Sequence, residues 1–333
     1  LMGGLVGKRV LAMVGVLLFL AAVVFTLQHN TPTDPVHSFL GANASRAAIK
    51  AESHKLGYDR PILQQYVHYV TGMFRGDFQM SLRTRRPVAT DLRHYLPATA
   101  ELALFGLLLA AGLALILGLA TAVRFPGSGV FRFFTLAGAS TPPFLLALLG
   151  ILLFYHRLGW LPATGRTGLA NPPTGPTGFL TVDTLLHGNL HGFTDAIGHL
   201  ILPGLCVAIL PAVSVGRVLR SSLVTNLRSD YVRTARAKGL REVMVLWHHT
   251  LRNSVGAALS MGGLQVGLMF AGVVVIESIF AWPGIGLYTV QSIPRSDFPA
   301  IAGVTMVLGA GYVVINTVVD ILQALADPRI ALT

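Results

Sequence analysis

DYVRTARAKGLREVMVLWHHTLRN, residues Asp230 to Asn253, is a basic, helix-forming stretch set between two long apolar runs. Arg233, Ala235, Arg236, Ala237 and Lys238 are good helix formers. Gly239 can take a left-handed or tight backbone angle and so stops the turn. Leu240 to Thr250 then restarts a helix of mixed apolar and basic character. The pattern predicts two short helices forming an elbow, held in water by a membrane bundle and shaped for grip by a soluble partner. The competing reading is an amphipathic loop lying on anionic lipid. A lipid-lying helix needs neither the central glycine nor the small residues around it.

The composition outside this stretch sets the solvent. Of the 333 residues only 12% are charged, against about 25% in soluble domains, and the mean hydropathy is +0.65. The formal charge of +11 raises the question of nucleic acid. The basic residues lie between apolar runs rather than along one face, which argues against it. The single cysteine, Cys206, sits inside an apolar run; no internal disulfide is possible, and a small core residue is the expected role.

Six apolar segments approach or exceed spanning length: Val10–Leu27, Leu102–Val123, Phe133–Tyr155, Leu200–Leu219, Val255–Ile276 and Ala300–Leu322. Lys8 and Arg9 before the first could open a signal peptide, but its apolar run is long for one, and no small-residue cleavage pattern follows; it reads as an uncleaved span. Pro142 and Pro143 interrupt the third, Pro203 and Pro211 the fourth. Proline removes a helix donor and kinks a span, tolerably so inside a bundle. The glycines of the second and fifth segments read as close-packing positions.

The basic residues of the short links alternate in side: Lys8 and Arg9, then Arg124 and Arg132, then the elbow, then Arg329. Both termini and the elbow are therefore expected in the cytoplasm. The loop from Gln28 to Ala100 is also basic, with Arg75, Arg83, Arg85, Arg86 and Arg93 among its cations. It exceeds the length of about 60 residues over which the charge rule holds, and is expected outside as a small helical subdomain. Within it, Ser45–Lys55 reads as one helix. Pro61 opens a second, with Leu63, Tyr66, Val67 and Val70 on one face. Leu161–Gly178, rich in Pro, Gly and Thr, reads as irregular chain.

Several blocks in this order resemble one family, the membrane subunits of binding-protein-dependent ABC importers of the dipeptide/oligopeptide type. They are LGYDRPILQQYVHYVTGMFRGDFQMSLRTRRPV from Leu56, LPATAELAL from Leu96, RLGWLPATG from Arg157, ESIFAWPGIGLYTVQSIPRSDFPAIAG from Glu277 and VVDILQALADPRI from Val318. The elbow resembles the family's coupling motif, written EAA, three residues, then Gly. Gly239 fits the glycine, while Arg233, Thr234 and Ala235 stand at the E-A-A positions. Tyr231 to Gly239 fits the peptide-type variant YxRTARAKG, and Leu251–Arg252–Asn253 its LRN. Ala257 stands where that subfamily often has proline.

The resemblance implies an all-α membrane protein of six transmembrane helices with the type I importer permease fold. It divides into a first helix (1–28), an external helical subdomain (29–100) and a permease core (101–333) with a coupling segment at 228–253. It implies a bacterial cytoplasmic (inner) membrane location. Besides the lipid bilayer it implies three kinds of partner: a homologous second permease subunit, two ATP-binding subunits, and an extracytoplasmic substrate-binding protein. Tyr231, Arg233, Thr234, Ala235, Arg236, Ala237, Lys238, Gly239, Leu240 and Leu251 would contact an ATP-binding subunit. The cargo implied is peptide; the same architecture elsewhere carries haem, metal chelates or sugars. An ion-coupled secondary transporter would need ionisable residues at mid-membrane and often inverted repeats, and the spans carry few of the former.

No phosphate-binding loop is present: Gly7–Lys8 is followed by Arg9, and position 2 is Met rather than Gly. The chain is therefore expected not to be an enzyme and to bind no cofactor, with ATP and Mg held by partner subunits. Two readings stand for Glu277, Trp282, Pro283 and Gly284 at the end of the fifth span: an external gate, or an interfacial Trp anchor with a Pro–Gly turn. Leu161, Pro162, Pro172 and Pro173 are the candidates for contact with a binding protein. His187, His191 and His199 recur at helical spacing and would hold a metal if on one helix. Gly188, Gly192 and Gly198 weaken such a helix, and loop histidines in water are the favoured reading.

Overall fold

The structure is a computed structural model, and it describes residues 2–30, 45–56, 59–122 and 128–326. Among these the chain is helical: α1 (Met2–Asn30), α2 (Arg46–Leu56), α3 (Ile62–Phe74), α4 (Val88–Ala122), α5 (Ser128–Ser140), α6 (Pro143–Arg157), α7 (Leu180–Leu186), α8 (Leu190–Leu227), α9 (Asp230–Ala237), α10 (Glu242–Ile279), α11 (Ile285–Ser292) and α12 (Phe298–Ala326). The chain divides into two compact units, residues 1–97 with 284–313 and residues 98–283 with 314–333.

Among the described residues five helices, α1, α4, α8, α10 and α12, are long and apolar enough to cross a membrane, where six spans were expected. The third expected span is broken. Two consecutive prolines end α5 at Ser140 and start α6 at Pro143, leaving an apolar helix too short to span alone. The remaining helices overrun their expected bounds. α4 begins at Val88 rather than Leu102 and carries Pro97 inside it. Its 35 residues reach about 52 Å at 1.5 Å per residue, against about 30 Å of hydrocarbon. Apolar composition marks only the lipid-depth part of a helix that continues into the polar layers.

In the first unit, α1, α3 and α12 meet in a cluster of Leu17, Ala21, Val24, Tyr69, Met73, Ala302 and Met306. The buried face of α3 is thus Tyr69 and Met73, flanked by Val70. Leu63 and Val67, expected on that face, stand exposed. Ser45 receives the Ala48 amide on its hydroxyl at 3.2 Å and starts α2 as expected. A second cluster joins Val88 and Leu92 to Ile285, Tyr288, Ala300 and Val304.

In the second unit, α4 lies on α8. Contact between apolar helices in lipid gains nothing from leaving water, so close packing must supply the attraction. Small residues provide it: Gly106 faces Val207, Gly118 faces Leu219, and Gly204 faces Phe105. A methyl on Gly204 would stand 2.5 Å from the Phe105 ring. Gly112, Gly256, Gly262 and Gly272 face open space instead.

Candidate functional site

The elbow is built as a capped turn. Asp230 opens α9 beneath its amide dipole and pairs with Arg233 at 2.7 Å. At the other end Gly239 adopts φ +76°. The Gly239 amide donates to the Arg236 carbonyl at 2.9 Å and the Leu240 amide to the Ala235 carbonyl at 3.3 Å. These two bonds are the Schellman termination, and Leu240 packs back on Val232, Ala235 and Val245 as that motif requires. The second arm is not a short helix. It is the first turns of α10, which runs 38 residues to Ile279 and so joins the elbow to a membrane span without a break.

Arg236 closes the angle between the arms. Its Nε and Nη2 donate to the two carboxylate oxygens of Glu242 at 2.7 and 3.0 Å. That hydrogen bond holds the guanidinium above its ordinary pKa, so it is always charged. Val245 to Leu251 widen to π-helix, and the Thr250 hydroxyl donates to the Val245 carbonyl at 3.1 Å within it. Asn226 at the end of α8 donates to Ser254, which donates to the Thr250 carbonyl, so side chains tie α8 to this turn.

The expected coupling residues divide by face. Ala235 and Leu251 are buried and Leu240 half-buried, and they hold the elbow together. Tyr231, Arg233, Thr234, Arg236, Ala237, Lys238 and Gly239 are exposed. Sequence reasoning missed three residues that share the exposed surface: Val243, Met244 and Trp247, at 65%, 45% and 48% exposure. Their spacing of one and four along a helix was the available signal. Exposed apolar side chains next in sequence to exposed arginine and lysine are the composition of a protein-binding surface.

A second constellation lies where α10 ends. Glu277 is fully buried and accepts the Thr99 hydroxyl at 2.5 Å. The Trp282 amide donates to the Glu277 carbonyl at 2.9 Å, and its indole N–H to the Ala98 carbonyl at 2.9 Å. Pro283 then leads to Gly284, which precedes α11. Arg166, from the irregular loop, lies over the Trp282 ring at 5.7 Å, is paired with buried Glu101, and donates to the Gly178 carbonyl at 3.0 Å. Neither Arg166 nor Glu101 was singled out from sequence, although Arg166 is the one cation between Leu158 and Gly178.

The loop itself is irregular as expected, but it is pinned. The Gly165 amide donates to the Phe280 carbonyl at 2.9 Å. Asp195 accepts the Thr167 hydroxyl at 2.5 Å and the Gly168 amide at 2.9 Å. Leu161 packs on the core beside Phe280 and Trp282, and Pro162 and Pro173 are half-buried; Pro172 stands exposed. The histidine spacing does not lie on one helix. Gly188, at φ +64°, separates α7 from α8, leaving His187 at the end of one and His191 in the first turn of the next. His187 and His199 turn their Nδ1 atoms to carbonyls at 2.8 and 2.9 Å. Among the described residues no three His, Cys, Asp or Glu side chains gather to hold a metal.

Residues 110–332 match the family described as the binding-protein-dependent transport system inner membrane component, and residues 2–103 match the N-terminal region of such components. The chain belongs to this family. It is 40% identical over 327 residues to the probable D,D-dipeptide transport system permease protein DdpB of Escherichia coli K12, covering 97% of this chain and 96% of that one. It is 40% identical over 313 residues to the di/tripeptide transport system permease protein DppB of Pseudomonas aeruginosa UCBPP-PA14, covering 92% and 93%. The dipeptide transport system permease protein DppB of Alkalihalophilus pseudofirmus is 36% identical over 325 residues, covering 97% and 98%. Membership agrees with the apolar helices: the chain is a multi-pass membrane component of a transport system, not a catalyst in its own right.

Proposed function

We propose that this chain forms half of the translocation pathway of an ATP-driven importer of short peptides. A homologous permease subunit supplies the other half, and an extracytoplasmic binding protein hands over the peptide. The names of the relatives support the cargo class. The observation that carries the coupling role is the elbow. It exposes both cations and apolar side chains, and α10 runs on from it into an apolar helix of spanning length without an intervening loop.

The elbow docks on an ATP-binding subunit, with Val243, Met244 and Trp247 filling its groove and Arg233, Arg236 and Lys238 at the rim. ATP and Mg belong to that partner. Nucleotide closes the paired ATP-binding subunits and moves both elbows, and the movement tips the bundle between inward- and outward-facing states. Such a cycle works only if nucleotide favours one state over the other. α5 and α6 together make the sixth crossing, bent at Thr141–Pro142, so both termini lie with the elbow in the cytoplasm. The described residues of 29–100, up to the start of α4 at Val88, belong to the external subdomain.

At the outer end the buried Glu277–Thr99 bond and the Trp282 anchor form the gate, and Pro283–Gly284 is the turn about which it moves. Arg166 latches the loop to this gate through Glu101 and Trp282. A binding protein pressing on Pro172 and Pro173 would therefore act on the gate. Reconstitution with partner subunits and binding protein tests the reading. ATP-dependent uptake of a labelled dipeptide is expected, and its loss is expected for Trp247→Asp. Uptake that survives this change, with the ATPase still attached, would contradict the docking surface.

A further inference from the structure

The sequence places several arginines in the loop before α4, outside the coupling segment. The structure gathers Arg83 and Arg86 with Arg295, from the turn before α12, around a cavity of about 640 Å³. That volume falls within the range of about 300–1,000 Å³ common for small-ligand sites. Asp91, Tyr95 and Gln291 complete the polar part of its wall. Three arginines and one carboxylate line it, and that carboxylate is already engaged. Asp91 accepts the Thr84 hydroxyl at 2.5 Å and the Tyr288 hydroxyl at 3.0 Å.

The backbone of the loop beside the cavity is tied down. Ser81 donates to Asp297 at 2.5 Å, and the Arg83 amide donates to the same oxygen at 3.0 Å. The Arg83 guanidinium lies over the Tyr288 ring at 4.8 Å and donates Nη1 to Gln291 at 3.0 Å. Its Nε and Nη2 are shielded from solvent and have no acceptor. These two nitrogens form the edge that grips a carboxylate side-on. Arg236 uses that same edge on Glu242. Buried donors without acceptors are rare and mark a missing partner.

We propose that this cavity is a carboxylate-binding site, and that its ligand is a short peptide held by its free C-terminal carboxylate. A turn of the Arg83 side chain off the Tyr288 ring, into the cavity it lines, presents its bare edge to the ligand. Arg86 and Arg295 neutralise the charge. A dianion such as phosphate would meet Asp91 as a like charge. A peptide zwitterion brings one charge of each sign to a wall that carries both. The identity of the ligand rests on the peptide-importer reading; the carboxylate chemistry does not.

The test uses the full chain in lipid nanodiscs without partners or ATP, so its outcome is separate from that of any uptake assay. Titration calorimetry compares Ala-Ala with Ala-Ala amide. The free acid is expected to bind and the amide to bind at least about tenfold more weakly, the loss of one charge-assisted pair. Arg83→Gln and Arg295→Gln are each expected to weaken the acid by a similar factor, and Arg60→Gln, on the exposed surface, to leave it unchanged. Should Arg83→Gln fail to fold, Arg295→Gln and the amide still decide. No binding of the acid, which would mean a cavity holding water only, overturns the proposal. So do equal binding of acid and amide, or undiminished binding to a folded Arg83→Gln or Arg295→Gln chain. Binding of an Asp-bearing, C-terminally amidated peptide in place of Ala-Ala would also overturn it, and would give the site to an acidic side chain of a docked protein.

Discussion

Replacing Gly239 with valine isolates the backbone of the elbow from everything else. Gly239 holds φ +76°, and a Cβ placed there meets nothing within 4 Å. The substitution therefore adds conformational strain and no collision. An L-residue in the left-handed region costs about 1–2 kcal/mol, and a β-branched one lies at or above the top of that range. The strain must be borne by α9, which has 8 residues, too few to be stable by itself. The Arg236–Glu242 fork cannot offset it. Its side chains are 43% and 68% exposed, and exposed pairs contribute about 0–1 kcal/mol.

An unopposed 1–2 kcal/mol shifts a two-state population by a factor of about 5–30. Gly239→Val should thus open the α9 cap in a large share of molecules. Gly239→Ala should open it less, and Gly239→Asn least, because asparagine tolerates this conformation. Hydrogen exchange at the Leu240 amide, bonded to the Ala235 carbonyl, reads the cap directly. Retention of the ATP-binding subunit on purification and dipeptide uptake read its consequence. All three should fall in the order Asn, Ala, Val. Wild-type protection, attachment and uptake in the Gly239→Val chain would refute the reasoning.

Gly204→Ala should lower the melting temperature in detergent, since its methyl would sit 2.5 Å from the Phe105 ring and overpacking costs about 1–3 kcal/mol. Gly112→Ala, which faces open space, should leave it unchanged, and equal effects at both sites would argue against tight α4–α8 packing. Thr99→Val takes one hydroxyl donor from the buried Glu277 side chain and should destabilise by about 1–3 kcal/mol; an unshifted melting curve would contradict a buried bond there. Arg166→Lys cannot reproduce the guanidinium contacts to Glu101, the Gly178 carbonyl and the Trp282 ring. Limited proteolysis between Gly168 and Gly178 should then be faster, and unchanged cleavage would mean the loop is held by its other bonds alone.

The elbow was legible in sequence because its signals are local. A run of helix formers ended by one glycine determines α9 and its cap without reference to the rest of the chain. The Leu161–Gly178 loop was legible for the same reason. The break within the third apolar segment was not. Apolar length cannot distinguish a kinked helix from two pieces, and adjacent Pro142 and Pro143 make two. The extensions of α4 before Leu102 and of α8 past both ends of Leu200–Leu219 were hidden because those turns are too polar to read as part of an apolar span. The face of α3 was misread because Leu63 and Val67 are apolar but turned outward, as residues at a membrane surface or subunit contact can be. Arg166, Glu101 and the arginines around the Arg83 cavity were beyond reach, since partners far apart in the chain meet only after the helices pack.

Cysteine cross-linking from position 238 bears most directly on the elbow. The chain has one cysteine, Cys206, which is buried, so Lys238→Cys supplies a single accessible thiol. With the ATP-binding subunit co-expressed and a short bifunctional reagent added to inside-out vesicles, a covalent permease–ATPase product should form, and nucleotide should change its yield. A thiol at position 238 that reacts only with impermeant reagent applied outside intact cells, and never cross-links to the ATPase, would contradict the account.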